Sequence, residues 1–126
     1  TIYKGSMVLS HLVSIGAMVG LMVLPVQGAV ACLFVYEIFL GFCSPATFAI
    51  GQTMAGPLAA GRWIGVQNFC GNLAGILAPA ITGLLVARTG NYTLAFVLAC
   101  LVNVLGVLGW GIIVPRVQAV RWEASR

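Results

Sequence analysis

Glu37 is the one ionisable residue well inside an apolar stretch, roughly 12 Å from the outer end of its span by the helical rise, and a lone carboxyl there has two chemistries open to it. Burial favours its neutral form. It then acts as a proton carrier or cation partner, or it stays protonated and donates one hydrogen bond across a helix interface. Asn68 and Asn72 stand four residues apart, so on a helix their amides share a face and offer donors and acceptors to a solute. Gly71, Gly75, Pro79 and Gly83 continue that stripe. Small residues at this spacing let another helix backbone approach closely, so the stripe reads either as a packing seam or as the wall of a polar cavity. Both hold if they occupy different edges of one helix. Ser44, Thr47, Gln52 and Thr53 add hydroxyls and an amide nearby, with Ser44 a candidate solute ligand, although such hydroxyls usually bond back to their own helix.

Pro45 and Pro79 each remove the hydrogen bond to the carbonyl four residues back, at Gly41 and Gly75. A glycine there eases the ring's crowding and leaves a bendable point. That suits a helix that alternates between conformations, yet static membrane helices tolerate proline too. His11 and Asn103 each read as partners in an interhelical hydrogen bond.

Other chemistry finds no support in the residues. One His, one intramembrane Glu and no Asp assemble no nucleophile–base–orienter set, so the chain reads as a non-enzyme. No Walker-type phosphate loop occurs. Cys32, Cys43, Cys70 and Cys100 form no CxxC pair and lie in apolar runs, so no metal site or cofactor is expected.

The elements that position these residues follow from composition. Of 126 residues, 61% are hydrophobic and 6% charged, against roughly 45–50% apolar in ordinary globular chains. The charges leave stretches 5–36, 38–61, 63–87 and 89–115 free, each longer than the ~20 residues that cross ~30 Å of hydrocarbon as a helix. This is an all-α polytopic membrane protein, since backbone groups in lipid must be satisfied within the segment. The punctuation places four transmembrane spans at about 6–24, 29–50, 63–86 and 92–114. A Gly- and Pro-containing loop or broken helix end fills 51–62, and Pro115 marks the last stop.

Four crossings put both termini on one side. That side carries Lys4, Arg62, Arg116, Arg121 and Arg126 and the other only Arg88, which predicts cytoplasmic termini in the plasma (inner) membrane, with the tail after Pro115 at its surface. The net charge of +4 is a topology signal and not a nucleic-acid footprint, because the basic residues are scattered along the chain.

The stretch Trp63-Ile64-Gly65-Val66-Gln67-Asn68-Phe69-Cys70-Gly71-Asn72-Leu73-Ala74-Gly75 through Pro79 and Gly83 resembles helix eleven of the major facilitator superfamily, most closely its anion:cation symporter branch. Thr89-Gly90-Asn91-Tyr92 is similar to the turn before helix twelve. Ser44-Pro45 through Gly56-Pro57 is similar to the end of helix ten and the loop after it. The resemblance implies that the spans are helices nine to twelve of a twelve-helix fold, and that the chain is the C-terminal part of a secondary transporter. Its N-terminal half would then be the missing partner. The branch moves small organic anions such as sugar acids with protons, and its helix-eleven Asn falls on Asn68. Ala87 stands where the family often has an acid before the turn, and Glu37 falls on none of its motifs. The alternatives are a free-standing four-helix protein acting as a dimeric multidrug exchanger with Glu37 as its carboxylate, or an assembly subunit whose glycine seams bind partner helices.

Overall fold

The computed structural model describes residues 2–114 and 117–120. The expected stop at Pro115 and the placing of Arg116 and of the tail from Arg121 onward lie outside them. Helix α1 covers Ile2–Val23, α2 Val26–Thr89 and α3 Thr93–Leu108, and α3 runs on as one π-helical turn, Gly109–Ile113. All three helices are long and apolar enough to cross a membrane, the third counted through Ile113.

Local chemistry sets the boundaries. Pro25 precedes α2 with φ −63°, the angle its ring dictates in any case. Gly90 ends α2 at φ 73°, and its N–H returns to the Val86 carbonyl at 2.8 Å, the usual left-handed close of a helix. Asn91 lies just before α3, its Oδ1 accepting the N–H of the helix's first residue, Thr93, at 3.0 Å.

Helix α2 has 64 residues, about 96 Å if straight and some three times the hydrocarbon thickness. It does not run straight. Gly56 has φ 67° and ψ 175°, a conformation open only to glycine, and the residues on either side of it meet again. Gln67 Nε2 donates to the Thr47 carbonyl at 3.4 Å, and the Gln67 and Trp63 side chains press on Gly51. The pairs 47/67 and 51/63 advance in opposite directions, so α2 is a hairpin with limbs 26–55 and 57–89. The segment 51–62 is thus helical apart from a single break. At Pro45 and Pro79 the backbone keeps helical angles, so the bend falls at Gly56 and not at either intramembrane proline.

Helix α1 packs against both α2 and α3. Its buried residues, Met7, Ser10, Ser14, Ala17 and Gly20, form one stripe, and the small ones among them admit close neighbours. The Cys43 thiol donates to the Ser6 carbonyl at 3.6 Å, and Thr47 Oγ1 lies 3.5 Å from Met7 Sδ. Across to α3, His11 Nδ1 stands 3.0 Å from Asn103 Oδ1. Asn103 Nδ2 is committed to the Ala99 carbonyl at 2.9 Å, so its oxygen accepts and the imidazole donates. The two residues expected to bond between helices bond to each other. Gly106 lets them do so, because a methyl there would stand 2.6 Å from His11 Nε2.

Two outcomes follow for the detergent-solubilised chain, both read as shifts of the thermal unfolding midpoint. Gly106→Ala lowers it, whereas Gly16→Ala, where a methyl meets nothing within 4 Å, leaves or raises it, since Ala is the better helix former by about 1 kcal/mol. Equal shifts would mean that the imidazole contact contributes nothing. Gly56→Ala costs about 1–3 kcal/mol through backbone strain alone. A neutral result there would mean that the hairpin turn needs no glycine.

Candidate functional site

On limb 57–89, Asn68 and Asn72 are exposed and share a face. Asn72 Nδ2 donates to the Asn68 carbonyl at 2.8 Å and reaches Asn68 Oδ1 at 3.5 Å. That back-bond fixes the Asn72 amide and turns its carbonyl oxygen outward. Among the described residues Asn68 Nδ2 and Asn72 Oδ1 have no protein partner, so one donor and one acceptor are presented side by side. Hydroxyl groups, which donate and accept at once, match such a pair.

Along the same stripe, added methyls at Gly71, Gly75 and Gly83 would meet nothing within 4 Å. No described helix packs on this face. The close-packed small residues are those of α1, whose seam sequence reasoning missed. Its signal was Ser10, Ser14, Ala17 and Gly20 at spacings of four, three and three, which the more conspicuous glycines of span three obscured.

On limb 26–55, Glu37, Gly41 and Ser44 follow at i, i+4 and i+7 and are all exposed. They lie on the side of the helix away from Cys32 and Cys43, which meet α1 at Gly20 and Ser6. Gly41 has nothing within 4 Å of the place a methyl would occupy, so the strip between the carboxyl and the hydroxyl is open. The 47/67 and 51/63 register, carried along both limbs, sets Ser44 level with Cys70, between the depths of Asn68 and Asn72, and Glu37 level with Leu77. Ser44 shares the depth of the asparagines, and Glu37 lies about two turns of helix beyond it. No hydrogen bond among the described residues joins Ser44 or Glu37 to the asparagines. Thr47 and Thr53 bond back to Cys43 and Ala49 at 3.0 and 2.8 Å, and so hold their helix instead of facing a solute.

A second feature was not foreseen. Between the α2 elbow and the end of α3 lies a cavity of about 870 Å³ with Arg62, Trp63, Gln67, Met54, Trp110 and Val114 in its wall. The wall comes from residues 47 positions apart in the sequence, Trp63 and Trp110, so no local pattern announces it. Among the described residues Gln67 Oε1 has no hydrogen-bond partner, though it is buried, and it lies where a methyl on Gly51 would stand 2.6 Å away. Lys4 Nζ closes the same end of the molecule, donating to the Val114 carbonyl at 2.6 Å, and the Val120 N–H reaches the Met54 carbonyl at 2.8 Å. The start of α1, the elbow and the end of α3 thus share one end, as an even number of crossings requires. Among the described residues no three His, Cys, Asp or Glu side chains gather as metal ligands.

No family model matches the chain, and no solved structure matches it. Over 72 residues, 57% of the chain, it is 35% identical to the hexuronate transporter of Bacillus subtilis (strain 168), and the aligned part is 17% of that protein. The chain therefore spans less than a fifth of the curated relative it matches. The likeness to a transporter and the three long apolar helices agree on an integral membrane protein.

Proposed function

We propose that the chain is the C-terminal part of a secondary transporter for a sugar acid, of the anion:cation symporter branch of the major facilitator superfamily. Its four crossings are then helices nine to twelve. The observation that carries this reading is the 35% identity to a hexuronate transporter over 72 residues. The outward donor and acceptor of Asn68 and Asn72 support it, because a sugar acid offers several hydroxyls to such a pair. Ser44 adds a hydroxyl at the same depth. Glu37 is the proton carrier, the membrane-embedded carboxyl on a strip that also faces away from α1.

In this reading the exposed faces of both α2 limbs belong against the N-terminal half of the transporter. Solute sites in such folds lie near the midplane between the halves, which is where polar groups facing away from α1 gain a purpose. The halves rock about the bound solute, and both termini of this chain stay in the cytoplasm, at the inner face of the plasma membrane. Fixing the Asn72 amide by its back-bond to Asn68 lowers the ordering cost when a solute arrives.

The experiment has two stages. The reading frame upstream of the Thr1 codon should continue and encode about eight further apolar spans; a start codon beside Thr1 would sink the two-half reading. Cells producing the whole protein should then take up labelled hexuronate. Asn68→Ala should reduce uptake at low solute concentration about tenfold, as expected for one lost hydrogen bond of some 1.4 kcal/mol, with membrane insertion unchanged. Glu37→Gln should abolish accumulation driven by a proton gradient while solute exchange persists. Wild-type uptake in both variants would remove these residues from the site.

A further inference from the structure

The cavity at the α2 elbow lies away from the asparagine face and has a composition of its own. Its wall is largely apolar, with Met54, Leu58, Val66 and Val114 beside the indoles of Trp63 and Trp110, and one cation, Arg62, stands in it. Among the described residues Glu37 is the only carboxylate, and it lies 19 residues before Gly56 in the helix, about 28 Å from the elbow by the helical rise. No described residue pairs with the guanidinium. A second positive charge, Lys4, stands at the same end, its Nζ on the carbonyl of the wall residue Val114. Indoles gather where hydrocarbon meets headgroups, and an arginine in a fixed setting recognises a phosphate through two parallel N–H bonds.

From this juxtaposition we propose that the cavity is a binding site for an anionic phospholipid, its phosphate on Arg62 and the start of one acyl chain between Trp63 and Trp110. The occupant follows from the wall. A soluble phosphate would meet the cation but leave the apolar surface wet, and a neutral lipid would fill the apolar space but leave the guanidinium without its counter-charge. A phospholipid with net negative charge satisfies both. A volume of about 870 Å³ is in the range of small-molecule sites, enough for a headgroup and the first part of a chain and not for a whole lipid. The rest of the acyl chain then leaves the cavity for the bilayer, as an interfacial position requires. An occupant there ties limb 57–89 to the end of α3 across the cavity. This inference does not depend on the solute or on proton coupling.

The test uses the chain with Trp122→Phe, leaving Trp63 and Trp110 as fluorescent reporters, in mixed vesicles where either phosphatidylglycerol or phosphatidylcholine carries dibrominated acyl chains that quench tryptophan on contact. Brominated phosphatidylglycerol should compete for the reporters about fivefold better than brominated phosphatidylcholine, the factor expected for one basic residue beside an anionic headgroup. Arg62→Gln should bring that ratio toward one, Arg62→Lys should keep most of it, and Arg88→Gln should leave it unchanged. Glycerol 1-phosphate in molar excess should not relieve the quenching. The proposal is overturned if the preference survives Arg62→Gln, if Arg88→Gln lowers it equally, or if glycerol 1-phosphate abolishes it, which would make the site one for a free anion. A ratio that rises severalfold in Glu123→Gln would assign Arg62 to the chain's own tail and would equally overturn it.

Discussion

The reversal at Gly56 is the constraint from which the rest of the arrangement follows. A helix of 64 residues cannot stay within a bilayer unless it turns back, and in hydrocarbon an irregular loop would leave backbone groups without partners. One glycine at φ 67°, ψ 175° confines the irregularity to a single residue. Pro57 suits the restart, because a proline in the first turn gives up only an N–H that the helix would not have used. With the limbs so joined, Gly51 receives the Trp63 and Gln67 side chains, and this contact sets the register that brings Ser44 to the depth of the asparagines. The buried part of α2, Ile50, Gly51, Ala55 and Gly56, is the elbow itself.

Burial and polarity are distributed unevenly around that elbow. The tight contacts run along α1, where small side chains and glycines on the facing helices allow backbones to approach, and polar groups there are matched: His11 with Asn103, Thr47 with Cys43. The outward faces of α2 are different. They carry Glu37, Ser44, Asn68 and Asn72, with Gly41, Gly71 and Gly75 beside them and nothing against the glycines. Polar groups facing lipid are expensive and almost always turn to a bundle interior or a watered cavity. A face that combines amide groups with open glycine grooves is therefore the wall of something, and the proposed second half of a transporter supplies what that wall encloses.

How far the sequence foretold this depends on whether the signal was local. Span lengths, the Thr89-Gly90-Asn91 turn and the back-bonding of Thr47 and Thr53 depend on residues close together in the chain, and they were legible. The partnership of His11 with Asn103 was half legible: each residue was polar in an apolar helix and so needed a partner, but which one depended on how α1 and α3 lie together. The reversal falls inside the segment 51–62, expected as a loop or broken helix end, and a single residue makes it. Pro45 and Pro79 each cost one hydrogen bond and can remain in a helix, whereas Gly56 bends because its backbone angles leave the helical region altogether. A proline pattern signals lost bonds, and a reversal needs a change of angle. Trp63 and Trp110, 47 positions apart, meet across a cavity that exists only because α2 folds back.

The closed end of the molecule shows how the parts depend on one another. Residues Gly109–Ile113 widen into a π-helical turn, with the Val114 N–H bonded to the Gly109 carbonyl at 2.9 Å. Such a turn leaves carbonyls near its end in need of donors, and Lys4 gives one to Val114 from the first turn of α1. The ammonium is held near the negative end of the α3 dipole, where a cation is favoured. Beyond Val114 the chain returns to the elbow at Met54. Three separate stretches of sequence, the start of α1, the Gly56 elbow and the end of α3, are thereby fastened around one space. Its wall joins Arg62 to two indoles, so the proposed lipid site would draw on one of the charges expected to orient the chain.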